Sequence, residues 1–350
     1  MVTINDIAKE AKVSAGTVDR VIHNRGGVSK KTEAKIKLII EKHDFQINAL
    51  ASSLALNKRV QIAVLIPDYD TENTFWKSPT MGVLKAKDEV KKIGANVACF
   101  NFNQFDEASY VHQLKKIITS QPDAILLAPL FGSATRVLTK ELDQKEIPYL
   151  FLNINLEGCN NISFIGQDSY MSGFLAGKLM RLSLEGKSTI AIMQTRINLD
   201  NNHAIYNRIK GFEDYFPTNR APINVINVNV IDLDNTKELK EKLETMFIEN
   251  PSIKGVYVPN SRVFTFANAI SSTKINDLVL IGFDGTDKNV MCLENEKVAF
   301  LISQQPFKEA YEAIKLIVDF LVDKKELDER IYSPIEILTK ENVSFSKHNK

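Results

Sequence analysis

A guanidinium and several hydroxyl side chains near the N-terminus have the chemistry to bind a polyanion. They lie within residues 3–24, TINDIAKEAKVSAGTVDRVIHN. Arg20 can pair bidentately with guanine, and a good pair of this kind contributes about 1–3 kcal/mol of discrimination between bases. Ser14 and Thr17 are of the type that binds phosphate oxygens. Asp19 is unusual beside them, where it could orient Arg20 or accept a hydrogen bond from cytosine. These residue types predict a contact with nucleic acid.

Two short helices joined by a tight turn are predicted to position these side chains. Small apolar residues recur through the segment at helical spacing, namely Ile4, Ile7, Ala8, Ala11, Val13, Val18 and Val21. Ser14 is a good N-cap for a second helix from about Ala15 to His23. A helix that opens with small residues can bring its N-terminus to base edges in the major groove. A third helix, from about Lys30 to His43 after the N-cap Ser29, would complete a small core.

Charge is distributed unevenly along the chain. The 350 residues carry a net charge of +1, and 44% hydrophobic and 25% charged residues are typical of a soluble globular protein. Residues 1–60 hold eleven Lys and Arg against six Asp and Glu, whereas the remainder holds 33 against 37. A basic head could meet phosphates or simply be a solvated surface. Beside the helical pattern of residues 3–24, phosphate binding is the favoured interpretation.

Cysteine and histidine are scattered, so the sequence predicts neither a disulfide framework nor a metal site. Cys99, Cys159 and Cys292 are isolated and odd in number, without Cys or His neighbours at metal spacing. Of the five His, only His203 lies near a predicted cleft, where a polar contact or a surface position is favoured over catalysis. The sequence has no nucleophile–base motif or nucleotide loop, so we expect neither an enzyme nor a cofactor.

No segment is apolar for long enough to cross a membrane, and the N-terminus is polar from Asn5 onward. We therefore expect no signal peptide. The isolated cysteines fit a reducing compartment, which makes the cytoplasm the simplest expectation. At this length the chain is too long for one ordinary domain and suits a small module followed by a larger one.

From Val60 onward, strand-like runs alternate with helical segments, which predicts doubly wound parallel sheets. A first series has strands at 60–66, 97–102, 124–128 and 149–153, with helices at 78–93, 106–119 and 133–145, the last beginning after Ser133. A second series has strands at 188–193, 223–230, 254–258 and 278–282, with helices at 169–185, 202–216, 235–249 and 262–273. Two such sheets imply two lobes. Ligands bind beyond the carboxyl ends of such strands, so one cleft is expected between the lobes.

The N-terminal segment resembles the lac repressor family of bacterial transcription regulators. The match is ungapped and comprises Thr3, Asp6-Ile7-Ala8, Ala11, Val13-Ser14, Thr17-Val18 and Arg20-Val21. In that family the two residues after Val-Ser, together with this Arg, read bases. Here the first two are Ala15 and Gly16, which cannot hydrogen-bond through a side chain, so DNA shape and bending should contribute to specificity. The expected DNA contacts of the head are Ser14, Ala15, Gly16, Thr17, Asp19, Arg20, His23, Asn24, Ser29 and Thr32.

The resemblance continues through a hinge segment. In the family the pattern N-x-x-A-x-x-L-A is a helix that folds on operator DNA and inserts a leucine into the minor groove, a known device of minor-groove binders. The matching residues here are Asn48, Ala51, Leu54 and Ala55, and the first three are expected to contact DNA. Read without the family, Leu50 and Leu54 form an apolar i, i+4 pair that predicts packing. The two interpretations are compatible, because paired hinge helices in a dimer also pack on each other.

Residues from about 61 to 340 resemble the periplasmic sugar-binding proteins, especially ribose-binding protein, and the matching core of lac-type repressors. The resemblance implies three crossings between lobes, which we expect near Gly166, Gln304 and Tyr332. It also implies a sugar site made of aromatic rings and planar polar groups at strand ends. The matching residues are Asn73, Phe75, Trp76, Asn153, Tyr206, Arg208, Asn260, Asp284 and Gln304. Singly, an Asp or Asn after a strand would more often cap a turn.

One departure from the sugar-binding pattern concerns the strand that ends at Asn153. The family often has an Asp there, followed in ribose-binding protein by Arg, whereas this chain has Asn153-Ile154. A charged clamp is therefore missing, and the ligand need not be a simple pentose. The chain also lacks a basic Gly-rich phosphate cradle, which argues mildly against a phosphorylated sugar.

These expectations combine into one architecture and one function. The fold is an all-α helix-turn-helix head (1–46) plus a hinge helix and linker (47–59), followed by a two-lobed α/β core of doubly wound parallel sheets (60–340) and a polar tail (341–350). The function is that of a DNA-binding transcription regulator, a repressor, controlled by a sugar or sugar-like ligand in the cleft. Its partners would be double-stranded operator DNA and a second copy of the chain. The alternatives are a sugar-binding protein without a regulatory role and, third, a sugar-converting enzyme.

Overall fold

The computed structural model describes residues 4–22, 26–43, 60–71, 74–195, 202–218, 223–230, 233 and 235–346. The chain divides into two compact units, Met1–Lys58 and Arg59–Lys350. His23, Asn24 and the expected hinge residues Asn48, Ala51 and Leu54 lie outside the described residues, as does Asn73.

Three helices form the described part of the first unit: α1 (Ile4–Ala11), α2 (Ala15–Ile22) and α3 (Lys30–Lys42). The predicted apolar seam packs as a core that contains Ile7, Ala8, Ala11, Val18, Val21, Ile36 and Ile39. Both predicted N-caps are confirmed, because Thr17 N donates to Ser14 Oγ and Thr32 N donates to Ser29 Oγ, each at 3.2 Å. Lys35 Nζ donates to Ala11 O at 2.9 Å and so satisfies a carbonyl at the end of α1.

The second unit begins with one lobe of alternating strands and helices. Its elements as far as the first crossing are β1 (Val60–Pro67), α4 (Lys77–Val90), a 3₁₀ turn (Lys91–Ile93), β2 (Ala95–Phe102), α5 (Glu107–Ser120), β3 (Ala124–Leu127), α6 (Gly132–Gln144), β4 (Tyr149–Leu152) and β5 (Ser163–Gly166). The prediction that Ser133 precedes α6 is wrong: the helix begins at Gly132, and Phe131 at its N-cap makes no side-chain cap bond.

A second lobe follows on the other side of the crossing. It contains α7 (Ser169–Ser183), β6 (Ser188–Gln194), α8 (His203–Thr218), β7 (Ile223–Asn229), α9 (Thr236–Glu249), β8 (Ile253–Tyr257), α10 (Val263–Ala269), α11 (Ser272–Ile275), β9 (Val279–Phe283), α12 (Asp287–Glu294) and β10 (Phe300–Ser303). The single helix predicted for 262–273 is therefore two helices. Ser271 interrupts it with extended backbone and caps the second helix through Lys274 N.

The chain then returns to each lobe once more. Helix α13 (Pro306–Val318), with a π-helical turn at Asp319–Asp323, packs in the core of the first lobe, and β11 (Arg330–Tyr332) joins the sheet there. Strand β12 (Glu336–Leu338) joins the second sheet, followed by α14 (Val343–Ser346). The chain thus passes between the sheets after Gly166, after Ser303 and between Tyr332 and Glu336.

The two sheets have the same plan in the described part of the chain. The first has the order β11-β5-β4-β3-β1-β2 and the second β12-β10-β9-β8-β6-β7. All pairings are parallel except that of β10 with β12. Central strands such as β3 and β4 are buried along their whole length, as expected of a sheet covered by helices on both faces. The carboxyl ends of these strands carry the polar side chains described below.

Candidate functional site

Helix α2 presents an exposed, polar surface on the first unit. Gly16 and Arg20 are exposed, while Ala15, Thr17 and Asp19 are half-buried. Arg20 reaches toward the loop before α3, where a Cβ on Gly27 would lie 3.3 Å from its Nη1. Gly26 and Gly27 have φ angles of 68° and 76°, a backbone conformation that glycine adopts without strain. The loop thus leaves Arg20 at the surface beside the start of α3.

The hydroxyls expected to bind phosphate occur as two similar pairs. Ser14 Oγ and Thr17 Oγ1 lie 2.9 Å apart at the start of α2, and Ser29 Oγ and Thr32 Oγ1 lie 2.9 Å apart at the start of α3. In each pair the Ser also caps its helix. Both pairs are therefore fixed at helix N-termini, where backbone N–H groups and the helix dipole favour an anion.

A cavity of about 270 Å³ lies between the two lobes of the second unit. The structure brings seven of the nine predicted effector-binding residues to its wall: Phe75, Trp76, Asn153, Arg208, Asn260, Asp284 and Gln304. Phe75 and Trp76 lie just before α4, with ring centroids 5.1 Å apart and an edge-to-face interplanar angle of 87°. The wall of the first lobe is thus aromatic and amide-rich, and the described charged residues of the lining, Arg208, Arg262 and Asp284, all belong to the second lobe.

Tyr206 does not lie on the cavity wall, and its prediction is corrected. Its side chain is exposed on α8, whereas Arg208 is buried and lines the cavity. Residues two apart on an α-helix are about 200° apart around its axis, so the two side chains cannot share a face. Of these two predicted residues, Arg208 is the one that faces the cavity. The remaining predicted residue, Asn73, lies outside the described residues.

Side-chain hydrogen bonds on the cavity wall run from one lobe to the other. Asn153 Nδ2 donates to Gln304 Oε1 at 2.8 Å, and Gln304 Nε2 donates to Asp284 Oδ1 at 2.7 Å. The three side chains are 6–8% exposed. Asn153 follows β4 of the first lobe, Gln304 lies on the second crossing, and Asp284 follows β9 of the second lobe. These hydrogen bonds therefore connect strand ends in the two lobes.

Asn153 and Asp284 share an unusual backbone conformation. Their φ angles are 68° and 67°, and each residue directly follows a buried strand. Asn and Asp tolerate this left-handed region better than other non-glycine residues, which accounts for the residue types at these two strand ends. The turn directs both side chains into the cavity. Asn289 supports the second turn, since its Nδ2 donates to the carbonyl oxygens of Phe283 and Asp284 at 2.9 and 3.0 Å.

Arg208 and Asp284 are the buried charged groups of the site. The guanidinium of Arg208 lies 4.0 Å from the centroid of the Phe283 ring, and Nη1 donates to Pro259 O at 3.3 Å. Its buried Nε has no hydrogen-bond partner among the described residues. Burial lowers the pKa of Arg208, against the attraction of Asp284. Burial likewise raises the pKa of Asp284, opposed by Arg208 and by the hydrogen bond from Gln304. Of these two side chains, Arg208 thus keeps a buried donor, Nε, that is unsatisfied among the described residues.

Asn260 has a structural role in addition to its place on the wall. Its Nδ2 donates to Thr195 Oγ1 at 2.7 Å, and its Oδ1 accepts from Arg262 N at 3.0 Å. The second bond is the local turn that an Asn after a strand commonly forms. The structure is therefore compatible with Asn260 both as a residue of the binding site and as a residue that forms the turn.

Several polar residues of the lining were not predicted from the sequence. They are Gln104, Thr195, Asn202, Ser261 and Arg262. Gln104 and Thr195 closely follow β2 and β6, so the rule that ligands bind beyond the carboxyl ends of strands could have identified both. Asn202 and Arg262 precede helices in loops, where the sequence offers no comparable signal. In the described part of the chain, His, Cys, Asp and Glu side chains do not cluster in a way that could hold a metal ion.

Comparison with known proteins gives two consecutive matches along the chain. Residues 3–48 match the family model of bacterial regulatory proteins, lacI family, and residues 62–325 match the periplasmic binding protein domain. Catabolite control protein A of Priestia megaterium is 27% identical over 83% of this chain and 84% of its own length. The ribose operon repressor of Halalkalibacterium halodurans is 24% identical over 100% of this chain and 99% of its own. A solved protein from Bacteroides fragilis, described as a LacI transcriptional regulator, has a TM-score of 0.76 and 26% identity, and the match covers 82% of this chain and 99% of that one.

Proposed function

Because the chain belongs to the lacI family of bacterial regulatory proteins and carries a periplasmic binding protein domain, we propose that it is a sugar-responsive repressor of transcription. The observation that carries the proposal is the pairing, in one chain, of an exposed helix-turn-helix surface with an interlobe cavity lined by aromatic rings and planar polar groups. The first suits duplex DNA, and the second suits a polyhydroxylated ligand.

We assign the DNA contacts to the two segments that precede the α/β core. Residues 1–46 bind DNA, and 47–59 form the hinge helix and linker. Arg20 reads a base, while Ala15 and Gly16 leave room for a base edge or methyl group. The hydroxyl pairs at the starts of α2 and α3 bind phosphate oxygens. Asp19, His23 and Asn24 in the head and Asn48, Ala51 and Leu54 in the hinge complete the proposed interface.

The ligand contacts follow from the groups on the cavity wall. Trp76 and Phe75 pack against the C–H face of the ligand. Arg208, Asp284, Asn153, Asn260 and Gln304 bond its hydroxyls, since carboxylate, amide and guanidinium groups each offer more than one hydrogen bond in a plane. Asn73 would add a further amide. Residues 60–340 form the ligand-binding and dimerisation region, and 341–350 a tail.

Ligand binding would act on DNA through the arrangement of the lobes. Occupation of the cavity changes the balance between open and closed lobes, and in a symmetric dimer this alters the spacing of the two DNA-binding heads. The two sites are then coupled, and the ligand can either release or strengthen operator binding. The proposed dimer follows from the two-fold symmetry of operators that such heads recognise.

The proposal places the protein in the cytoplasm, with the chromosome, and gives it no catalytic activity. Each helix in the described part of the chain is too short or too polar to cross a membrane. The families matched are regulators and binding proteins. The alternative of a binding protein without regulation would be favoured by an absence of duplex binding, and that of an enzyme by turnover of the bound sugar.

Titration of the tryptophan fluorescence tests the ligand half of the proposal. Trp76 is the only Trp in the chain and lies on the cavity wall. We expect a saturable fluorescence change with one member of a panel of monosaccharides, disaccharides, sugar acids and polyols. The same compound should change the affinity for a labelled duplex that carries the promoter of the protein's own gene. Duplex binding that no member of the panel alters would contradict the proposed regulation.

A further inference from the structure

The N-terminus of α8 lines the cavity and contacts the first lobe. Asn202, Ala204 and Ile205 line the cavity from the second lobe. Ala204 is also buried within the main hydrophobic cluster of the first lobe. The start of this helix is therefore packed on both lobes at once, and rotation of the lobes away from each other would separate it from the first.

A second contact between the first lobe and the start of α8 is polar. Arg136 Nη2 on α6 lies 3.4 Å from His203 Nε2, the first residue of α8. A guanidinium only donates hydrogen bonds, so His203 Nε2 accepts. Arg136 is also fixed within the first lobe, because its Nε donates to Glu157 O at 3.2 Å. The guanidinium is thus positioned by its own lobe toward the imidazole of the other.

Gly132 makes room for this contact. A Cβ at Gly132 would lie 3.0 Å from His203 Cδ2, 3.2 Å from His203 Nε2 and 3.4 Å from Arg136 Nη1. The first two distances are tighter than ordinary van der Waals contacts of a methyl group. The absence of a side chain at the start of α6 therefore lets the imidazole pack against the first lobe.

We propose that Gly132, Arg136 and His203 form a latch that holds the lobes closed over the cavity and slows the release of the ligand. The three residues are not part of the described cavity lining, so they act through the arrangement of the lobes. The effect of the latch on ligand release rests on the proposed function, in which a ligand occupies the cavity. The latch favours the closed arrangement, and a change in that preference alters apparent affinity even when every ligand contact is kept.

Acrylamide quenching of Trp76 measures the latch without any ligand. Trp76 is 4% exposed on the cavity wall, and opening of the lobes would admit a small neutral quencher. We expect the Stern–Volmer constant of the full-length protein to rise roughly twofold or more in Gly132→Ala and in Arg136→Gln, because each change weakens the contact that keeps the lobes together. Lys140→Ala is the matched control, since it removes an exposed cation one turn further along α6.

Thermal unfolding distinguishes opening from damage to the fold. Gly132→Ala should keep Tm near that of the wild type while it raises quenching, because opening of the lobes relieves the contact of the added methyl group with His203. Quenching equal to that of the wild type in both variants would overturn the latch. So would a rise in the Lys140→Ala control equal to that in the two latch variants. Neither result depends on a ligand or on DNA, so a failure of the latch is separate from a failure of the proposed repressor function.

Discussion

At the scale of single residues, the two sites use side chains in opposite environments. Arg20 is exposed, and its Nη1 lies near Gly27 in the loop before α3. Arg208 is 5% exposed, stacked on Phe283 and directed into a cavity. The same chemical group is therefore open to solvent in one unit and enclosed in the other. The consequences of replacing each can be measured separately.

Replacement of Arg20 is expected to abolish specific DNA binding. Arg20→Ala removes the planar donors, and Arg20→Lys keeps the charge but loses the bidentate geometry. We expect Arg20→Lys to retain salt-dependent binding to unrelated duplex and to lose roughly tenfold or more in preference for its operator, as the removal of one base contact implies. Fluorescence anisotropy with operator and scrambled duplexes measures both quantities. Operator affinity of wild-type strength in Arg20→Ala would remove this residue from the interface.

Replacement of Asp284 is expected to separate the two activities. Asp284→Ala deletes the acceptor of Gln304 and a buried group on the cavity wall, so the ligand response should be lost while operator binding stays. Asp277→Ala is the control, because it removes an exposed carboxylate of the same lobe. The measurement is operator affinity with and without the ligand found by tryptophan titration. An unchanged response in Asp284→Ala would exclude the carboxylate from the site.

At the scale of elements, the three crossings between lobes are joined to one another. Gln167 Nε2, on the first crossing, donates to Ser303 O at 3.0 Å on the second and to Pro334 O at 3.4 Å on the third. Gln305 Nε2 donates to Glu336 Oε1 at 2.6 Å. These bonds tie the three crossings to one another, so the segments that connect the lobes are held as one set.

Glu309 lies on the first turn of α13, close to the crossings between the lobes, and is expected to make stability depend on pH. It is 2% exposed, and its carboxylate oxygens lack well-formed hydrogen bonds among the described residues. Burial raises the pKa of the Glu309 carboxyl to about 7, against smaller opposing effects of Ser333, Gln305 and Arg208. The folded protein thus holds this proton more tightly than the unfolded chain does. Stability should fall as pH rises from about 4.5 to about 7, by up to about 3 kcal/mol.

The variant Glu309→Gln tests that dependence, because it keeps the shape and cannot ionise. Urea unfolding between pH 5 and pH 8 should show a smaller loss of stability for the variant than for the wild type. Glu312→Gln, on the same helix, provides a control at a less buried position. Parallel pH profiles for Glu309→Gln and the wild type would show that the buried carboxyl does not titrate in this range.

Across the whole molecule, sequence patterns predicted the order of the strands and helices better than the turns and helix faces that place side chains in the cavity. Strands such as β1 and β3 were predictable because each is a continuous apolar run of the length that is typical of a buried strand. The helix from Pro306 and the short strands β11 and β12 were not predicted, since short edge strands carry little periodic signal. The turns at Asn153 and Asp284 and the supporting amide of Asn289 depend on tertiary contacts. Tyr206 was misassigned because alignment to a family does not fix the face of a helix.

Regulation of transcription by a ligand requires coupling between the cavity and the operator site. Coupling of two binding sites is reciprocal, so operator DNA must change the ligand's Kd by the same factor by which the ligand changes the operator's. The decisive measurement is the ligand's Kd, from Trp76 fluorescence, with and without saturating operator duplex. We expect two different Kd values whose ratio equals the ligand-induced change in operator affinity. Identical Kd values in the presence and absence of operator would contradict the proposed coupling.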